Sequence, residues 1–242
     1  MMVFGAIVEV TLRALLGRRR TILLVLLAAL PVLVAVLARV GGGRLDEARI
    51  VDALVIRVVL PLTALVFGTS ALGSELEDGT AVYLLAKPVP RWQVVLAKTF
   101  VAATLTAGLA VGSTLLTGMI LSAGDPSALA ATLAFAVSVA VAAAAYVALF
   151  VAASVLTSRA LVLGLIYTLV WEGVLAGILA GTRMFSIREA TLAVAAALAP
   201  VGSGIQAGLD LTAAALIVGA AIGGGLIVAS TRLARWEVRG TD

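Results

Sequence analysis

Six runs of the chain carry almost no charge: residues 21–40, 54–72, 94–121, 129–156, 160–180 and 211–230. About 20 mostly apolar residues suffice for a helix to cross the hydrocarbon core of a bilayer. Inside that core every backbone amide and carbonyl must be satisfied within the protein, so a lone run can span only as a helix. These runs are apolar all round, which predicts spanning helices. Composition agrees, with 62% hydrophobic and 12% charged residues, where soluble domains hold about 45–50% and 25%. The third and fourth runs exceed what a bilayer requires and are expected to tilt or to project into water. The expected fold is an all-α membrane protein: one domain over residues 1–242, with six spans and no soluble domain.

The apolar stretch 186–200 is too short to span and ends at Pro200 and Gly202. It is expected to form a re-entrant or interfacial helix. The segment before the first span, residues 3–16, has an amphipathic pattern with Phe4, Ile7, Val8, Leu12 and Leu15 on one side. Such a helix would lie on the membrane surface and contact lipid. Arg18-Arg19-Arg20 followed by an apolar run resembles a twin-arginine signal. The run is longer than a signal's apolar region and more spans follow, so an uncleaved anchor is expected.

Both ends are basic, which with six spans puts them on one side. On that side lie eleven Lys and Arg residues: Arg13, Arg18, Arg19, Arg20, Lys87, Arg91, Lys98, Arg159, Arg232, Arg235 and Arg239. The other side holds six: Arg39, Arg44, Arg49, Arg57, Arg183 and Arg188. The excess predicts cytoplasmic termini. The net charge of +4 is thus read as topology, and no nucleic-acid partner is expected.

There is no cysteine and no histidine. Disulfides, thiolate chemistry and Ser-His-Asp catalysis are excluded, and the commonest metal ligand is missing. No G-x-x-x-x-G-K-[ST] sequence occurs, so no phosphate-cradling loop is expected. Neither a catalytic site, a metal nor a cofactor is expected in this chain.

Ionisable residues inside spans are functional candidates. Glu172 lies in the middle of the fifth run. It could pair with an arginine such as Arg183, bind a cationic substrate group or carry a proton. Arg57 lies near the outer end of the second run and can snorkel. Gly108 with Gly112, and Gly173 with Gly177 and Gly181, put small residues on one helix face. Packing within the chain is favoured over a dimer seam.

Residues 73–92, GSELEDGTAVYLLAKPVPRW, break the apolar pattern. Ser74 and Glu77 have capping-box spacing, Gly79 permits a reversal, and Pro88 ends any helix before it. Pro90 stiffens the chain up to Arg91 and Trp92. The pattern predicts a short, stiff helix over 80–86 between spans two and three. It either joins the spans or gives a partner protein something to grip.

This stretch is similar to the membrane subunits of ATP-binding-cassette transporters of the type-2 exporter class. The resemblance covers Gly73 to Thr80 and Tyr83 to Arg91, about 20 residues. Residues Tyr167 to Gly173 and Phe185 to Arg188 resemble a subgroup of bacterial permeases of that class more weakly. The resemblance implies that the stretch is a coupling helix that docks on an ATP-hydrolysing subunit. Glu75, Glu77, Asp78, Gly79, Thr80, Tyr83, Lys87, Pro88 and Arg91 would form that interface. It implies a connecting helix with Arg13, Arg18, Arg19 and Arg20, and a path near spans two and five, with Val66, Trp171 and Glu172 as candidates. It further implies two permease copies with two ATPase subunits that bind ATP and Mg, in a bacterial cytoplasmic membrane. Family members export drugs, polysaccharides or lipids, or serve copper-enzyme maturation. The alternatives are a proton-coupled carrier built on Glu172, or a scaffold that transports nothing.

Overall fold

A computed structural model of the chain describes residues 2–17, 19–42, 46–77, 90–175 and 180–235. Among these residues all regular structure is helical. The chain opens with α1 (Met2–Leu16) and α2 (Arg19–Val40). The next rod joins α3 (Glu47–Ile50), a π-wound stretch (Val51–Val59) and α4 (Leu60–Glu77) without a break. Then come α5 (Arg91–Ser122) and α6 (Pro126–Leu156), of 32 and 31 residues. The short α7 (Ala160–Ile166) runs into a second π-wound stretch (Tyr167–Leu175). A 3-10 segment (Ala180–Phe185) leads to α8 (Ile187–Leu198), and α9 (Leu211–Ala234) follows.

Among the described residues, five helices are long and apolar enough to cross a membrane: Arg20–Val40, Glu47–Gly73, Arg91–Ser122, Pro126–Leu156 and Leu211–Ala234. A sixth apolar helix, Ala160–Val174, is shorter. The protein is an all-α, multi-pass membrane protein. The fifth apolar run does not continue as one regular helix through residue 180, because it leaves α-winding at Tyr167 and is 3-10 from Ala180.

Local chemistry sets the helix starts. Asp125 accepts a hydrogen bond from Ser127 N at 3.1 Å, with Pro126 in the first position of α6. Proline fits there because its missing N–H would have no helical partner. Asp46 caps α3 through Ala48 N and Asp210 caps α9 through Ala213 N. Each satisfies an amide that the helix leaves open.

The core is centred on α6, which packs against α4, α5, α7, α8 and α9. Phe135, Tyr146 and Phe150 on α6 are buried. Glycines hold neighbours against this core. A Cβ on Gly225 of α9 would lie 2.6 Å from Ala148 O, and one on Gly68 of α4 would lie 3.0 Å from Phe150 Cβ. One on Gly164 would meet Leu65 Cδ1, so α7 lies against α4. One on Gly118 would meet the Thr132 side chain. By contrast, Gly108, Gly112 and Gly181 face open space, and Gly173 nears only Thr168 O. The packing role expected of those spaced glycines is not what they do, and Gly177 lies outside the described residues. Small residues close a helix interface only where a neighbour fills the space.

On α2, Leu23, Leu26, Leu33 and Leu37 are exposed, as suits a lipid-facing helix. Ser113 of α5 ties it in by donating to Ala28 O at 2.6 Å. Along α1, Thr11 and Leu15 are buried and Val8 packs on the core, whereas Leu12 is exposed. The inward face is therefore rotated from the one expected: it follows Val8, Thr11 and Leu15, which share one side at helical spacing.

Glu75 and Glu77 fall in the last turn of α4, which continues through Glu77. Ser74 is thus inside a helix and does not start a new one, which corrects the capping-box reading. Residues 78–89, with Asp78, Gly79, Thr80, Tyr83, Lys87 and Pro88, lie outside the described residues.

Candidate functional site

The polar residues within the bundle gather where α8 meets the two π-wound stretches. In an α-helix, residues five apart point roughly 140° away from each other. A π-turn bonds i to i+5 and brings such residues onto one side. Both π stretches contain such a pair. Tyr167 OH donates to Glu172 Oε1 at 2.7 Å, and Arg57 donates to Asp52 Oδ2 from Nη2 at 3.2 Å and Nε at 3.3 Å.

Glu172 is buried, yet its carboxylate is well supplied with donors. Ser186 Oγ donates to Oε2 at 2.6 Å, Ile187 N to Oε1 at 2.8 Å and Arg188 N to Oε2 at 3.3 Å. The last two are among the amides at the start of α8 that have no helical acceptor. Ser186 is the N-cap and accepts from Glu189 N at 3.1 Å while donating to Glu172. The carboxylate therefore closes the N-terminus of α8 from a distant part of the chain. A negative charge there is also stabilised by the positive end of the helix dipole.

Aromatic packing places Tyr167. Its ring meets Phe150 edge-on, with centroids 6.3 Å apart, and Phe150 stacks on Tyr146 at 6.1 Å.

One residue beyond the cap, Arg188 makes a two-pronged pair with Asp52. Nε lies 3.0 Å from Oδ1 and Nη2 lies 2.8 Å from Oδ2. Its Nη1 donates to Glu189 Oε1 at 2.8 Å. Such forked pairs are the stronger ion pairs and fix geometry. Burial alone would lower the Arg188 pKa; the bonds to Asp52 and the charges of Asp52, Glu189 and Glu172 outweigh it and raise the pKa. Asp52, Arg188, Glu189 and Glu172 thus clamp α8 between both π-wound stretches.

Of the roles left open for Glu172, pairing with an arginine such as Arg183 is not the one seen; its donors are Tyr167, Ser186 and two backbone amides. Arg183 lies by Gly208, in the loop before α9. Trp171 donates Nε1 to Phe185 O at 3.3 Å, and Val66 is half-buried on α4 against the core. The structure brings Trp171 and Glu172 together but does not join Val66 to them. Sequence reading missed Asp52, Ser186, Arg188 and Glu189 as a group. The one available signal was Ser186-x-x-Glu189, a capping-box spacing at the start of an apolar stretch.

Opposite ends of the bundle differ. Asp46, Ser127 and Val201 meet around a recess at one end. At the other, Arg91 Nη1 donates to Leu233 O at 3.3 Å and the buried Lys98 donates to Ala71 O at 2.8 Å. Exposed Arg13 pairs with Glu9, and Arg20 is exposed. Arg18 lies outside the described residues.

A family model described as an ABC-2 family transporter protein matches residues 6–222, from α1 into α9. The chain belongs to the ABC-2 transporter family. Comparison with curated proteins gave no match. Membership makes the chain a membrane component of an ABC transporter, and such permeases pair in general with an ABC ATPase. The Glu172 clamp lies within the matched region.

Proposed function

We propose that this ABC-2 permease is the membrane half of an ATP-driven exporter. The observation that carries the reading is the family match across residues 6–222. Two permease copies combine with two ATPase subunits, which bind ATP and Mg. The termini face the cytoplasm of a bacterial cell, and the substrate crosses between the two permeases near spans two and five.

The stretch from Gly73 to Trp92 docks on the ATPase. Support comes from how α4 ends. Glu75 and Glu77 occupy its last turn, where acids oppose the helix dipole. A helix that keeps acids there gains from a basic partner surface. α5 begins at Arg91 on the same end of the bundle, so a force on 78–89 reaches both spans at once. Arg13 on α1 and Arg19 and Arg20 at the start of α2, with Arg18 between them in the sequence, are proposed to assist that contact.

The proton-carrier alternative rested on Glu172. Two of its four donors are backbone amides, which can only donate. That donor set supports a structural role for Glu172.

The test is co-expression with a candidate ABC ATPase from the same organism, followed by native mass measurement. The expected complex holds two of each chain. A permease that purifies alone and never retains the ATPase contradicts the proposal.

A further inference from the structure

At the end of the bundle away from Arg91, a cavity of about 560 Å³ opens between the π-wound stretch Val51–Val59, α8 and the loop before α9. That volume is within the usual range of small-ligand sites, about 300–1,000 Å³. Its wall is rich in charged side chains. Four guanidinium groups, of Arg49, Arg57, Arg183 and Arg188, face three carboxylates, of Asp46, Asp52 and Glu189. One positive charge is left over.

The pairing shows which arginines are committed. Arg188 spends its three nitrogens on Asp52 and Glu189. Arg57 shares an Asp52 oxygen already held by Arg188, and its side chain is 46% exposed. Arg49 reaches Asp46 at 3.3 Å from a position 88% exposed. Arg183 differs from all three: its Nε is buried and has no hydrogen-bond partner among the described residues. A buried donor without an acceptor is costly and rare in native structures. Gly208 helps to place it. A Cβ there would sit 3.2 Å from Arg183 Nη1 and 3.0 Å from Glu189 Oε2, so the absence of a side chain lets both groups lie against the loop.

A cavity with surplus guanidinium charge and an unsatisfied buried N–H suits a ligand that brings acceptor oxygens and negative charge. Guanidinium forks match the geometry of phosphate and carboxylate. We propose that this cavity binds an oxyanion group, phosphate being the chemistry of choice, through Arg183 and Arg57. Arg49 stands at the mouth, and the Arg188 ion pairs form a rigid floor. The phosphate comes either from a free solute or from the headgroup of an anionic lipid. The proposal concerns binding and does not depend on the export reading, because the test reads affinity and not transport.

The test uses the full chain in nanodiscs. In phosphatidylcholine discs, inorganic phosphate is titrated while thermal stability and bound phosphate are followed. In parallel discs, phosphatidylglycerol replaces part of the lipid and no phosphate is added. Stabilisation in the first arm identifies a free oxyanion, and stabilisation in the second alone identifies a lipid headgroup. In whichever arm responds, Arg183→Gln is expected to weaken the effect about tenfold, the size of one lost charge-assisted bond. Arg57→Gln should weaken it less, and Arg183→Lys should restore part of it. Arg39→Gln, an exposed charge on α2 that does not line the cavity, should change nothing. If Arg183→Gln lowers the melting temperature before any ligand is added, Arg57→Gln carries the comparison. The proposal is overturned if neither arm stabilises the protein. It is equally overturned if Arg39→Gln weakens the response as much as the cavity variants do.

Discussion

Glu172 and Ser186 lie on separate elements and are joined by a 2.6 Å hydrogen bond from Oγ to Oε2. That bond sits inside a set of four donors on one carboxylate, so it reports on how α8 is held to the bundle. Glu172→Gln keeps the shape but turns one oxygen into an N–H facing other donors. The expected loss is about 2–4 kcal/mol, since bonds to a charged acceptor and stranded donors both count. Glu172→Leu should lose more. Thermal unfolding of the purified chain in detergent measures both. A Gln variant as stable as the parent would show that the cap is not needed.

The Arg188 fork yields a second prediction. Arg188→Met removes the partner that Asp52 and Glu189 share, with a side chain only 8% exposed. Removing one member of a buried ion pair costs about 3–5 kcal/mol, and the partial exposure of Asp52 places this case at the lower end. Arg188→Lys cannot fork and should recover only part. Pairing Arg188→Met with Asp52→Asn should cost less than the two single losses together. A double-variant cycle with strictly additive losses would argue against direct coupling.

The helices were largely legible, and the clamp was not, for a definite reason. Apolar runs report spans because the bilayer demands them, whatever the detailed packing. Glu172 reads as an isolated charge, and Asp52 does not stand out at all, because their partners stand five residues away. At α-helical spacing Tyr167 and Arg57 point elsewhere, and only π-winding turns them inward. The rest of the clamp comes from Ser186 and Arg188, which the sequence separates from Asp52 by more than a hundred residues. Glycine spacing misled in the same way. Gly108 and Gly112 share a face that meets nothing, whereas Gly225, one of three glycines in a row, meets Ala148.

Gly225 and Gly223 therefore make a matched pair. Gly225→Ala forces α9 away from the Ala148 carbonyl, which a Cβ would approach to 2.6 Å. Overpacking of this kind costs about 1–3 kcal/mol. Gly223→Ala meets open space and should be neutral or stabilising by up to about 1 kcal/mol through helix propensity. Melting temperatures in one detergent compare them directly. Equal effects would mean that α9 does not pack on α6 as described.

Orientation can be read by labelling, because the chain has no cysteine of its own. Ser127→Cys and Val201→Cys are exposed and lie at one end of the bundle. Arg20→Cys and Arg235→Cys are exposed at the other. An impermeant maleimide should label the first pair in intact cells and the second only after permeabilisation. The opposite pattern would invert the topology.

The central claim is that the acidic end of α4 and the residues after it dock on the ATPase. The most direct measurement combines ATPase retention and ATP hydrolysis in proteoliposomes, for the parent chain and for Glu75→Lys with Glu77→Lys. Lysine suits a helix C-terminus better than glutamate does, so these changes should leave α4 and membrane insertion intact. The account predicts that the doubly changed permease inserts normally but retains little ATPase and supports little hydrolysis. A doubly changed permease that still binds the ATPase and supports full hydrolysis would contradict it.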